Sequence, residues 1–146
     1  MPVNVKRPWP KSLAKEEISV SIVSDSDIVT ARQKGREMAV RLGFASADLA
    51  LIATAISELA RNIVLYAQKG EIILSTVEDG NSYGIGVVAR DGGPGIPDVE
   101  RALQEGFSTS RSLGLGLPGV KRLMDQFDIV SEVSRGTTVT VKKWRT

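Results

Sequence analysis

The sequence predicts an α/β fold, a two-layer sandwich with a mixed, mainly antiparallel sheet and its helices on one face. Three observations predict it. Strand and helix periodicities follow one another in the order β-α-α-β-β-loop-α-β-β. Two strand pairs are joined by short turn signals, Asp79-Gly80-Asn81 and Ser134-Arg135-Gly136, which make antiparallel neighbours. At 146 residues, with 42% hydrophobic and 25% charged residues, the chain has the size and composition of one globular domain. Residues 1–146 are therefore expected to form a single domain.

Each element follows from its local pattern. Residues 1–15 are rich in Pro and Lys and read as a lead-in segment. Glu17 to Ser24 alternates, with Ile18, Val20 and Ile22 on one face of a strand. Ser24-Asp25-Ser26-Asp27 supplies N-caps for a helix to about Leu42, which Gly43 stops. Ser46 caps a longer helix to about Ala67. Gly70 opens a strand over Glu71 to Val77, and the return strand runs from Tyr83 to Asp91. Residues 92–119 are irregular and hold seven of the 14 glycines, with a short helix over Asp98 to Gln104. Pro118 to Gln126 forms another helix with Pro118 in its first turn. Asp128 to Val133 and Thr137 to Trp144 close the sheet.

Composition excludes several classes of function. Net charge is +2, and the basic clusters Lys6, Arg7, Lys11 and Lys142, Lys143, Arg145 read as solvated ends, so no nucleic-acid partner is expected. No apolar run is expected to span a membrane, and Met1 to Lys6 lacks a signal-peptide core, so a cytoplasmic location is expected. Cysteine and histidine are both absent. This removes disulfides, thiolate and imidazole metal sites, Ser-His-Asp chemistry and a phosphohistidine intermediate. Catalysis must rest on carboxylates, hydroxyls, amides, Lys, Arg or a bound cofactor.

Two segments carry polar groups where the fold does not require them. In Asp91-Gly92-Gly93-Pro94-Gly95-Ile96 a carboxylate stands where a strand ends, beside backbone stripped of side chains. Glycine lets such backbone approach another molecule, and the carboxylate accepts hydrogen bonds. On the second helix, Leu49, Ile52, Ala53, Ile56, Ala60, Ile63 and Val64 make the stripe toward the sheet. Glu58 and Asn62 lie roughly opposite, within about 40° of each other. Leu51, Ala55 and Leu65 share that face, with Tyr66 at its edge, and a mostly apolar face with one carboxylate and one amide suggests a covered cleft. A carboxylate there suits general-base work, and an amide oxygen suits a hard cation such as Mg²⁺.

Gly114-Leu115-Gly116-Leu117-Pro118-Gly119 matches G-x-G-x-x-G, but it lacks the preceding strand and following βαβ unit of a dinucleotide site. Its glycines still lead into a helix N-terminus, where freed N–H groups suit phosphate.

Together these segments resemble the ATP-binding domain shared by gyrase, the Hsp90 chaperone, histidine kinases and the MutL repair protein, the GHKL or Bergerat fold. Glu58-Leu59-Ala60-Arg61-Asn62 resembles its N box, Asp91 to Ile96 its first glycine box, Gly114 to Leu117 its second, and Gly136-Thr137-Thr138-Val139 its late glycine-threonine element. All four stand in family order over roughly residues 15–145. The resemblance implies ATP and Mg²⁺ as cofactors. Asp91 would accept from the adenine amino group, with Thr137 helping through water, while Gly93, Gly95 and Ile96 would lie against base and sugar. Asn62 would hold Mg²⁺, residues 97–113 would form an ATP lid, and Gly114, Leu115, Gly116 and Leu117 would contact phosphates. Ser108, Thr109 and Arg111 would touch the terminal phosphate.

Within that family the chain looks like the short serine kinases that regulate bacterial sigma factors, and Ser57 to Ile63, Gly114 to Asp125 and the ending Lys142-Lys143-Trp144 look most like switch kinases of the RsbT type. That resemblance implies Glu58 as the catalytic base toward a serine or threonine of STAS-domain proteins of the stressosome. It also implies a second partner, the regulatory domain of a metal-dependent serine phosphatase. An anti-sigma factor that sequesters a sigma factor is the alternative, and a catalytically silent ATP-gated adaptor is a third.

Overall fold

A computed structural model describes residues 15–104 and 116–145. The chain runs β1 (Glu17–Ile22), α1 (Asp25–Leu42), α2 (Ser46–Asn62), a π-helical turn (Ile63–Ala67), β2 (Gly70–Asp79) and β3 (Ser82–Asp91). It continues with α3 (Val99–Ala102), α4 (Gly116–Leu123), β4 (Gln126–Glu132) and β5 (Gly136–Trp144). The sheet order is β1-β2-β3-β5-β4. Every neighbouring pair is antiparallel, so the mainly antiparallel sheet expected from the sequence is antiparallel throughout its described strands. The reason lies at β3–β5: β3 ends at the same edge where β5 begins, so Asp91 pairs with Thr137 and Gly84 with Trp144.

Alternation sorts the strands into two faces. Val20, Ile22, Ile72, Leu74, Ile85, Val87, Val139 and Val141 are buried on the face that carries the helices. Opposite them pack Ile28, Ala31, Met38 and Leu42 of α1 and Ile52, Ile56, Leu59 and Ala60 of α2. Helix boundaries follow local chemistry. The Asp27 carboxylate accepts from the N–H groups of Val23 and Ser24 at the start of α1, and Gly43 ends it at φ +85°. Ala45, rather than Ser46, occupies the extended N-cap position of α2, a displacement of one residue.

The segment Ser46–Ala67 is, by length and composition, apolar enough to cross a membrane, with a window of mean hydropathy 1.4. This corrects the expectation that no such run exists. Its apolarity has a local reason, since it lies between α1 and the sheet on one side and α4 on the other. Ala55, expected on the outer face, is fully buried for that reason.

At its far end α4 is tied to β5. The buried Lys143 donates from Nζ to the Leu123 carbonyl at 3.0 Å. Trp144 N–H donates to Asp125 Oδ2 at 2.8 Å, and Asp125 N–H to the Lys142 carbonyl at 2.9 Å. These contacts fix where the helix N-terminus points.

Leu74 is fully buried on β2 beneath the helical layer. Leu74→Ala is expected to lower the unfolding free energy by about 2–5 kcal/mol. Urea denaturation checks this, with a lower midpoint at an unchanged slope.

Candidate functional site

At one end of the sheet, β3 stops, β5 starts and α2 gives way to its π-helical turn. These ends enclose a cavity of about 290 Å³. Its floor is the sheet, with Ala89 and Asp91 from β3 and Thr137 and Val139 from β5. One wall is helical, with Leu59, Asn62, Ile63, Tyr66 and Ala67. The loop after β3 supplies Pro94 to Pro97, α3 supplies Ala102, and the start of α4 supplies Gly116, Leu117 and Pro118. A largely apolar pocket with a few convergent polar groups is the form of a small-molecule site.

Asp91 enters from the last position of β3. Its Oδ1 accepts from Gly93 N–H at 2.9 Å, a tight turn that starts the glycine loop. Its Oδ2 makes no hydrogen bond to a described residue and remains open for a donor in the cavity. Thr137 is its cross-strand partner. Gly93 and Gly95 serve the protein's own packing. A Cβ on Gly93 would stand 2.6 Å from the Ala67 Cβ, and one on Gly95, at φ +77°, 2.2 Å from the Glu132 carbonyl oxygen. Gly93 lies behind the cavity surface, whereas Gly95 and Ile96 line it.

Asn62 lines the helical wall at the junction of α2 and the π-helical turn, and its amide makes no hydrogen bond to a described residue. Glu58 is one turn earlier, buried with 4% exposure, and is not part of the cavity lining. Both carboxylate oxygens are engaged: Arg61 Nη1 donates to Oε1 at 2.5 Å, and Gly116 N–H donates to Oε2 at 3.2 Å. The apolar face that carries Glu58 is thus covered by α4, and Glu58 meets the first residue of that helix. Ser108, Thr109, Arg111, Gly114 and Leu115, and with them most of the expected lid, lie outside the described residues. Of the second glycine box, Gly116 and Leu117 stand at the cavity, with Gly116 at φ +67°.

Several contributors carry no motif signal in the sequence, among them Leu59, Tyr66 and Ser131. Tyr66 reaches the wall from the π-helical turn, which changes the helical phase beyond Asn62, while Leu59 lines it from α2, one turn before Ile63. Ser131 of β4 accepts from Ile96 N–H at 2.7 Å and so anchors the glycine loop. Nothing in the alternation of β4 marks Ser131, because its partner is 35 residues away.

A model of the histidine kinase-like ATPase domain matches residues 24–143. The chain belongs to the histidine kinase-like ATPase family. Among its relatives in that family, the serine/threonine-protein kinase RsbT of Bacillus subtilis is 52% identical over 129 residues, covering 88% of this chain and 97% of that one. An anti-sigma F factor of Geobacillus stearothermophilus is 36% identical over 104 residues, covering 66% of this chain and 69% of its own. A crystal structure of the RsbU and RsbW domains of a Mycobacterium tuberculosis protein shares the fold, with a TM-score of 0.57 at 22% identity. The match covers 90% of this chain and 32% of that one. A histidine kinase-like ATPase domain implies use of ATP, and kinship to a serine/threonine-protein kinase over nearly the whole of both chains supports a protein kinase.

Gly95→Ala is expected to destabilise the domain by about 1–3 kcal/mol or more, through strained backbone and overlap with Glu132. Gly92→Ala, which meets nothing within 4 Å, is the control and is expected to stay within about 0.5 kcal/mol of the wild type. Thermal melts of both variants check the contrast.

Proposed function

We propose that this cleft binds ATP and that the chain phosphorylates a serine or threonine of STAS-domain proteins of the stressosome, in a sigma-factor stress pathway. Afterwards it activates a metal-dependent serine phosphatase through that enzyme's regulatory domain. One observation carries the nucleotide reading. A single cavity has the open carboxylate oxygen of Asp91 on its sheet floor and Asn62 and the start of α4 on its helical side. The 52% identity to the serine/threonine-protein kinase RsbT supports the kinase reading, and the substrate and partner follow from the resemblance to switch kinases of that type.

In this reading Asp91 Oδ2 accepts from the exocyclic amine of adenine, with Thr137 beside it, and the apolar wall of Ile63, Ala89 and Val139 takes the ring. The phosphates face the N-terminus of α4, where backbone N–H groups and the helix dipole favour anions. Among the described residues no three carboxylates stand together as a metal cage. The uncommitted Asn62 amide fits Mg²⁺, which takes few protein ligands and leans on phosphate oxygens. Bound there, the metal would neutralise charge on the phosphates.

Glu58 is the general base. The Gly116 N–H that satisfies its Oε2 also faces the phosphates, and passing that donor to a phosphate oxygen frees the carboxylate. The substrate hydroxyl oxygen then bonds to the terminal phosphorus, the bond to the bridging oxygen breaks to leave ADP, and the hydroxyl proton passes to Glu58. Arg61 keeps the carboxylate oriented. Positioning and charge stabilisation supply most of the catalysis in reactions of this kind.

The 36% identity to an anti-sigma F factor favours one second reading, in which the chain sequesters a sigma factor. Co-purification separates the two, since a captured sigma factor supports the second and a captured phosphatase regulatory domain the first.

The direct test is phosphotransfer from Mg-ATP to a purified STAS-domain protein; no transfer would sink the kinase assignment. Glu58→Gln is expected to retain ATP affinity and to lose phosphotransfer by about 10²–10⁴-fold. Asn62→Ala is expected to abolish the Mg²⁺ dependence of ATP binding. Calorimetry with and without the metal checks this, and an unchanged dependence removes Asn62 from the metal site.

A further inference from the structure

Ser131 is not part of the cavity lining, yet its hydroxyl sits where three elements meet. Ile96 N–H donates to its Oγ at 2.7 Å from the glycine loop. The Thr137 Oγ1 lies 2.8 Å away, and the Gly136 carbonyl oxygen 3.3 Å away. A serine hydroxyl has one proton and two lone pairs. All three contacts are made at once in one arrangement only. Ser131 accepts from Ile96 N–H and from the Thr137 hydroxyl, and donates its own proton to the Gly136 carbonyl.

That arrangement has a consequence inside the cavity. With its proton spent on Ser131, Thr137 turns only lone pairs toward the cavity it lines. Asp91, its cross-strand neighbour, is a carboxylate and also only accepts. Both polar groups at this end of the floor are therefore acceptors. An amino group on a purine ring suits two acceptors, directly or through water, whereas a ring carbonyl in the same place meets lone pairs.

We propose that Ser131 is a positioning residue that holds the Thr137 hydroxyl as an acceptor and so sets the preference of this site for an amino-purine over an oxo-purine nucleotide. The proposal rests on the cleft being the ATP site. Without the Ser131 hydroxyl, Thr137 is free to turn its proton into the cavity, and the floor gains a donor that an oxo-purine accepts. The loop itself keeps a second tie, from Ser134 N–H to the Pro94 carbonyl at 2.8 Å. A purely structural role for Ser131 would weaken both kinds of nucleotide together. A role in hydroxyl orientation changes their ratio.

The test is calorimetric titration of the full chain with Mg-ATP and Mg-ITP, which differ in the amino or oxo group at one ring position. Wild type is expected to prefer ATP. Ser131→Ala is expected to lower the ATP-to-ITP affinity ratio by about three- to tenfold, the worth of one hydrogen bond. Ser131→Cys, closer in size, has the same expectation and serves if the alanine variant fails to fold. Ser131→Thr keeps the hydroxyl and the wild-type ratio. In a Thr137→Val background, Ser131→Ala is expected to leave the ratio unchanged. A wild-type ratio in both the alanine and cysteine variants overturns the inference while leaving the ATP site intact. Failure of the wild type to bind either nucleotide overturns the ATP-site reading and this inference with it.

Discussion

Gly136 presses against the carbonyl of Asp91, and the cleft is built on that approach. A Cβ at Gly136 would lie 2.0 Å from the Asp91 oxygen, and its φ of +119° is one that side chains oppose. Because the approach is possible, β5 begins directly beside the end of β3 and sets Thr137 opposite Asp91. The turn between β4 and β5 then reaches the glycine loop, so that Ser134 meets Pro94 and Ser131 meets Ile96. The sheet floor and the loop that borders it are positioned by one close backbone contact.

The other half of the cleft depends on how α4 sits. Its first residue donates to Glu58, and its last turn is held by Lys143 and, through Asp125, by the backbone of β5. Glu58 is nearly fully buried, and a buried carboxylate is tolerated only when its oxygens are paired. Arg61 and Gly116 supply that pairing. The group proposed as the base is therefore also the group that seats the start of α4. In the proposed function, a ligand that draws away the Gly116 N–H would release the same carboxylate oxygen that is to take the proton.

Element order and type were legible because the periodicities are strong and the stops are chemically explicit, as with Gly43 after α1 and Asp79-Gly80-Asn81 between β2 and β3. Asn62, Asp91, Gly95, Ile96, Gly116, Leu117 and Thr137, singled out from motifs, do converge on one cavity. Gly93 and Glu58 are adjacent to it instead, Gly93 because its missing side chain admits Ala67 and Glu58 because α4 closes over it. On the second helix the periodicity marks the stripe toward the sheet, and the apolar surroundings of Glu58 mark a cover on the other side, but neither names what covers it. That cover is α4, and Ala55 and Glu58 are buried on its side of the helix.

By itself the sequence determined what is local: which segments are strands or helices, that no imidazole or thiol takes part in the chemistry, and which acceptors stand at strand and helix ends. Such features depend on side-chain period, capping and composition, all read within a few residues. Only the tertiary structure decided that Glu58 is held by Gly116, that β3 and β5 are neighbours, and that the hydroxyls of Ser131 and Thr137 share a hydrogen bond. Those are contacts between a backbone group or hydroxyl and a partner on another strand or helix, and neither periodicity nor composition carries their signal.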